Sequence, residues 1–61
     1  MKIKITVIDE KNMMNMEINL SDILSSTKSS EGCFIELEGS KTLLQISESS
    51  YLEIMEKSLL N

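Results

Sequence analysis

The stretch that decides the fold is residues 33–46, Cys-Phe-Ile-Glu-Leu-Glu-Gly-Ser-Lys-Thr-Leu-Leu-Gln-Ile, where two alternating runs flank a Gly39-Ser40 dipeptide. Glycine readily takes the positive φ of a tight turn, so this dipeptide predicts a β-hairpin. The predicted pairs are Glu38 with Lys41, Leu37 with Thr42, Ile35 with Leu44, and Cys33 with Ile46. Directly opposed residues share a face of the sheet. The pairing therefore predicts one apolar face made of Cys33, Ile35, Leu37, Leu44 and Ile46.

A second hairpin is predicted over residues 2–20. Residues 2–8 and 13–20 both alternate between apolar and polar side chains, and the polar turn Asp9-Glu10-Lys11-Asn12 separates them. Pairing Ile8 with Met13 aligns the apolar sets of the two strands and places Lys4 opposite Glu17. An opposite-charge pair of this kind stabilises a ladder. The predicted apolar face consists of Ile3, Ile5, Val7, Met14, Met16, Ile18 and Leu20.

The end of the chain predicts an amphipathic helix over residues 48–59. Ser50 and Glu53 have the spacing of a capping box, and Ser47 is an alternative cap one turn earlier. At 100° per residue, about half of the helix circumference is apolar. The residues on that side are Tyr51, Leu52, Ile54, Met55 and Leu59.

The serine-rich residues 21–32 are expected to form a connector, with one helical turn that carries Ile23 and Leu24 toward the core. The predicted fold class is therefore α+β. We expect a single small domain over residues 1–61, with a four-stranded antiparallel sheet made of two β-hairpins (2–20 and 33–46) and one C-terminal helix packed on it.

The length of 61 residues permits only a small core. A chain of this size buries about 60% of its unfolded surface, and such a core rarely supplies more than roughly 3–5 kcal/mol without help. Cys33 is the single cysteine and histidine is absent, so an internal disulfide and a Cys/His zinc site are excluded. Self-association, most simply as a homodimer, is the expected source of additional burial.

The net charge of −4 arises in the second half of the chain, where six Glu face two Lys. An acidic surface with few aromatic residues argues against nucleic-acid binding. No apolar run approaches the roughly 20 residues of a membrane span. A free cysteine without an export signal predicts a cytoplasmic protein. Ala, Pro and Arg, whose codons are mostly G/C-rich, are absent, which suggests an A/T-rich bacterial or phage genome.

Catalytic groups are few. Glu36 and Glu38 face the same way, but their strand face is expected to be solvated and Glu38 lies opposite Lys41. Cys33 has no histidine to activate it and its parity points into the core, so we interpret it as a structural thiol. Gly32 and Gly39 are too far apart for a phosphate-binding loop. We expect a non-enzymatic protein without a cofactor, metal or small-molecule substrate.

The interface is predicted from apolar residues that strand parity places on the sheet face away from the helix. Met14, Met16 and Met55 are expected to fill the core, whereas Phe34, Leu43, Ile8 and Met13 have the opposite parity, with Glu36 beside them. One helix cannot also cover these residues, so they predict an interface with a second copy or with another protein. A sandwich-like or barrel-like sheet that buries part of both faces is the alternative.

The order of elements resembles that of the small FlbD-type flagellar and swarming-motility proteins, in which a Gly-containing hairpin leads to a Val-x-Glu-Ser stretch and a helix. The matching residues are Gly39, Lys41, Ile46, Glu48, Ser49, Ile54 and Lys57. The early Leu-Asn-Gly turn of that family is replaced here by Asp9-Glu10-Lys11-Asn12, and its Pro-Asp-Thr segment by residues 29–32. The resemblance implies the same hairpin-and-helix architecture and a role in motility.

Three functions are therefore considered. The first is a module that binds and modulates or inhibits a larger protein, such as a phage or mobile-element inhibitor of a host defence or regulatory system. The second is a cellular flagellar accessory protein. The third is an acidic nucleic-acid mimic, with the carboxylates of Glu31, Glu36, Glu38, Glu48, Glu53 and Glu56.

Overall fold

A computed structural model describes residues 1–59, except for the side chain of Leu59, so the predicted apolar contact of that side chain lies outside the described residues. The strands are β1 (Lys2–Asp9), β2 (Asn12–Asn19), β3 (Ile23–Ser29), β4 (Gly32–Leu37) and β5 (Leu44–Ile46). A single 3₁₀ turn, Leu20–Asp22, connects β2 to β3. The helix α1 spans Glu48–Leu59, the range indicated by its sequence pattern.

The strands form one antiparallel sheet in the order β2-β1-β5-β4-β3. The α+β class with one helix near the C-terminus is confirmed, but the prediction of four strands is wrong because the sheet has five. The fifth is β3, which lies in the segment predicted to be a connector. The three-residue β5 is central and joins the β1–β2 hairpin to the β3–β4 hairpin.

Strand β3 forms although its sequence, Ile-Leu-Ser-Ser-Thr-Lys-Ser, is mostly polar. It pairs with β4 through contacts that include Thr27 with Phe34 and Ser29 with Gly32, across a two-residue loop. Without β3, the outer backbone groups of β4 would face solvent as an unpaired edge, and backbone pairing requires no apolar side chain. Ile23 packs against the core, whereas Leu24, predicted to point inward, is exposed at an irregularity in the ladder.

The predicted register of the first hairpin is confirmed, with Ile8 opposite Met13 and Lys4 opposite Glu17. The ion pair, however, joins Lys2 Nζ to Glu17 Oε1 at 3.9 Å. The second register is confirmed for Cys33 with Ile46 and for Ile35 with Leu44.

The ladder of the second hairpin ends at Ile35 and Leu44, so the predicted pairs of Leu37 with Thr42 and Glu38 with Lys41 are wrong. On the other side of β4, Leu37 pairs with Ile23 of β3, and the Glu38 N–H donates to the Asp22 carbonyl at 2.8 Å. The ladder with β5 ends because the chain turns at Leu37, whose carbonyl accepts the Ser40 N–H at 3.0 Å. Gly39 has φ = +85°, as its predicted place in the turn requires.

The core lies between α1 and one face of the sheet. Its buried apolar residues are Ile3, Ile5, Val7, Cys33, Ile35, Ile46 and Ile54. The cap of α1 is Ser47, since its Oγ accepts the Ser50 N–H at 3.2 Å. Ser50 is itself buried, and its Oγ accepts the Thr6 N–H at 2.9 Å, which fixes the helix to β1.

The predicted apolar side of α1 is too wide. Ile54 is 1% exposed and Tyr51 is half-buried, but Leu52 is 55% exposed and Met55 is 39% exposed. Ser50 rather than another apolar residue lies against the sheet beside Ile54 and Tyr51, and its hydroxyl there accepts the Thr6 N–H. The expectation that Leu52 and Met55 contribute to the core is therefore wrong.

Met14 and Met16 also lie outside the core, contrary to their predicted role, with 51% and 38% exposure. Their parity is correct, but their strand is at the edge. A helix is about 10–12 Å wide, whereas five strands spaced at about 4.8 Å extend over roughly 19 Å. Because α1 contacts β1 and β4, the helix side of β2 is left partly uncovered.

Candidate functional site

The sheet face opposite α1, here called the open face, has no covering layer within residues 1–59. One row of side chains crosses all five strands on this face. The registers place its members in the order Met13, Ile8, Gln45, Phe34 and Thr27. Three of the five residues predicted for an interface therefore lie in a single row.

Ile8, Phe34 and Leu43 meet around one depression of about 440 Å³ at the end of the sheet that carries the β1–β2 turn. Ile8 and Phe34 are half-buried, whereas Leu43 is 59% exposed. Asp9 and Glu10 also line it, so the depression combines apolar and acidic side chains.

The other two predicted residues lie beside this depression. Met13 is 68% exposed and is the direct cross-strand partner of Ile8. Glu36 is exposed, two residues along β4 from Phe34, and its Oε1 accepts the Ser25 hydroxyl at 3.3 Å. We define the open-face patch as Ile8, Met13, Phe34 and Leu43, with Glu36 at its margin.

Gln45 occupies the middle of the row, between Ile8 and Phe34, and sequence reasoning missed it as part of the site. Its side chain lies over Gly32. A Cβ added to Gly32 would be 2.7 Å from Gln45 Nε2. The signal in the sequence was a glycine at the start of a strand, which indicates close approach of another group.

Groups suited to catalysis are not brought together in residues 1–59. Cys33 is a free, buried thiol in the core, at the position its parity predicts. No cluster of three or more His, Cys, Asp or Glu suited to a metal ion occurs among the described residues. Nor does this part of the chain contain a helix long and apolar enough to cross a membrane.

A second depression on the open face, of about 300 Å³, lies over the β1–β2 ladder. Lys4, Thr6, Asn15 and Glu17 line it, and the Thr6 hydroxyl donates to Asn15 Oδ1 at 2.9 Å. Two of its polar side chains, Thr6 and Asn15, thus bond to each other across the strands. The apolar part of the open face is the other end, where the patch lies.

No protein-family model, curated protein or solved structure matches this chain. The resemblance to FlbD-type motility proteins therefore stays a prediction, and the function is argued from the site alone.

Proposed function

We propose that the chain is a non-enzymatic binding module that self-associates and uses the open-face patch to dock, and so modulate or inhibit, a larger protein. The observation that supports this proposal is the grouping of Ile8, Phe34 and Leu43 around one depression at the end of the sheet that carries the β1–β2 turn. Contiguous exposed apolar surface of this kind usually marks an interface.

The depression also indicates the chemistry of the partner. Phe34 provides an aromatic wall against which an apolar anchor side chain can pack, and aromatic contacts of this kind dominate many interfaces. Asp9 and Glu10 beside it, and the net charge of −4, favour a partner with basic residues around that anchor.

The proposal is tested by affinity capture from bacterial lysate with the wild type and with the double variant Phe34→Ser/Leu43→Ser. We expect the variant to fold and to lose the captured protein. The control is Leu24→Ser/Leu52→Ser, which removes two leucines outside the patch whose exposure, 58% and 55%, is similar to the 59% of Leu43. If both double variants capture the same protein as well as the wild type, the patch is not the docking site.

The identity of the captured protein separates the two biological settings. A flagellar or motility component would favour the accessory role, whereas a defence or regulatory protein would favour inhibition by a phage or mobile-element product. The nucleic-acid mimic gains no support from the geometry. Glu36 lies on the open face, while Glu48, Glu53 and Glu56 lie on α1, beyond the other face.

A further inference from the structure

The two edges of the sheet differ in how they meet solvent. Strand β3 has an irregular ladder, and beyond Ile23 its helix-side residues, Ser26 and Lys28, are polar and contact α1. Ser26 Oγ contacts Met55 Sδ at 3.5 Å, and Lys28 Nζ lies 3.7 Å from Glu48 Oε2. Irregularity and lysine are the usual protections of an edge against pairing.

Strand β2 has none of these protections. It is eight residues long, its ladder with β1 is unbroken, it contains no proline, and Glu17 is its one charged residue. Its helix side carries Met14 and Met16, both exposed. A long, regular, apolar edge of this kind is a template for pairing with another strand.

The backbone groups that β2 offers can be assigned from Thr6. The Thr6 N–H donates to Ser50 Oγ and its carbonyl accepts the Ser47 N–H, so both groups point away from β2. Backbone direction alternates along an antiparallel strand. It follows that the β2 residues whose N–H and C=O groups point outward are Met13, Asn15, Glu17 and Asn19.

We infer that β2 pairs antiparallel with β2 of a second copy, around a twofold axis at Met16. The result is a continuous ten-stranded sheet with both helices on one side. The inference rests on the proposed function only in that the chain self-associates. It assigns self-association to the edge and leaves the open-face patch to the larger partner.

The register follows from the side chains. With Met16 on the axis, Met16 lies opposite Met16 of the second copy and Met14 lies opposite Ile18 of the second copy. The helix-side pairs are therefore all apolar. Placing Asn15 on the axis would set Met13 opposite a Glu17 carboxylate. Placing Glu17 there would set two carboxylates opposite each other, which is destabilising.

The position of Met16 on the axis predicts a cross-link that forms at residue 16 and not at residue 14. Met16 and its copy form a non-hydrogen-bonded pair with about 4.5 Å between Cα atoms, which suits a disulfide. In this register the two Met14 positions are roughly 13 Å apart, beyond the reach of a disulfide. Met14 is the more exposed residue, so random collision would favour Met14→Cys over Met16→Cys.

The experiment oxidises the wild type, Met16→Cys and Met14→Cys side by side and follows covalent dimer on non-reducing gels. We expect Met16→Cys to cross-link at least ten times faster than Met14→Cys, and the wild type, whose Cys33 is buried, to stay uncross-linked. Sedimentation equilibrium should show Met16→Lys shifted to monomer with its circular dichroism spectrum unchanged. Leu52→Lys, on the exposed side of α1, should keep the wild-type association.

Equal cross-linking at both positions overturns the inference. If Met16→Lys stays associated while Phe34→Ser/Leu43→Ser becomes monomeric, the patch is the self-association surface and the edge assignment is wrong, although self-association itself stands. A wild type that is monomeric at all concentrations removes both self-association and the β2 pairing. Capture of a partner through the patch is tested independently of these results.

Discussion

Ile54 attaches α1 to the sheet, and shortening it should show how little stability this fold has in reserve. Its side chain is 1% exposed in the core cluster. Replacing a buried Ile by Val typically costs about 0.5–1.5 kcal/mol, and replacing it by Ala about 2–5 kcal/mol. A domain of this length has roughly 3–5 kcal/mol to lose, so Ile54→Ala should leave much of the protein unfolded.

The assay is thermal and urea unfolding followed by circular dichroism at 222 nm, at one fixed protein concentration. For a domain of this size, 1 kcal/mol corresponds to about 4–8 °C in Tm, so Ile54→Val should melt roughly 2–12 °C below the wild type. Leu52→Ala is the control, since Leu52 is 55% exposed, and we expect a change within about 0.5 kcal/mol. If Leu52→Ala is the more damaging substitution, the face of α1 described here is wrong.

Three further predictions concern the sheet. Ile35→Asp should prevent folding because it places an unpaired charge in the core, whereas Glu36→Lys should leave the circular dichroism spectrum intact; the opposite pair of results would reverse the faces of β4. Glu10→Gly should raise Tm by a few degrees. Glu10 has φ = +56°, and relief of roughly 1–2 kcal/mol of backbone strain exceeds the cost of the glycine's added unfolded-state entropy. An unchanged or lower Tm would count against strain at this turn. Gly32→Ala should lower the stability of the fold by about 1–3 kcal/mol, since the φ of Gly32 is +139°. Adding Gln45→Ala should restore little of that stability, because the amide that a Cβ would meet is the end of a flexible side chain. Full recovery of stability in the double variant would show that crowding rather than φ is the cause.

The elements that could be predicted from the sequence are those whose side chains alternate with burial. The register of Ile8 with Met13 and that of Cys33 with Ile46 follow from matching apolar parity, and both are confirmed. Strand β3 could not be found in this way. It is held by backbone pairing to β4, and Ser25, Ser26 and Lys28 carry no apolar pattern.

The surface was predicted less well than the core because parity gives the face of a residue but not its lateral position. Met14 and Met16 have the parity of Val7 and Ile5, yet they lie on the edge strand beyond the reach of one helix. The burial of Ser50 could not be predicted from the sequence either. A serine is read as a solvent-facing position in a pattern of apolar residues, even when its hydroxyl is buried and accepts a backbone N–H.

The central position of β5 determines when this molecule can fold as it is synthesised. Its three residues leave the ribosome after the other four strands described, yet they join two hairpins that otherwise do not pair, with Val7 opposite Ile46 across most of the chain. Before residue 46 emerges, only separate hairpins can form, and an isolated hairpin is marginally stable in water. Closure of the sheet, and with it the surface on which α1 packs, must therefore wait until residue 46 has emerged, and it depends on contacts distant in sequence that form slowly. A chain truncated before Leu44 would lose the join between two partial sheets as well as the helix.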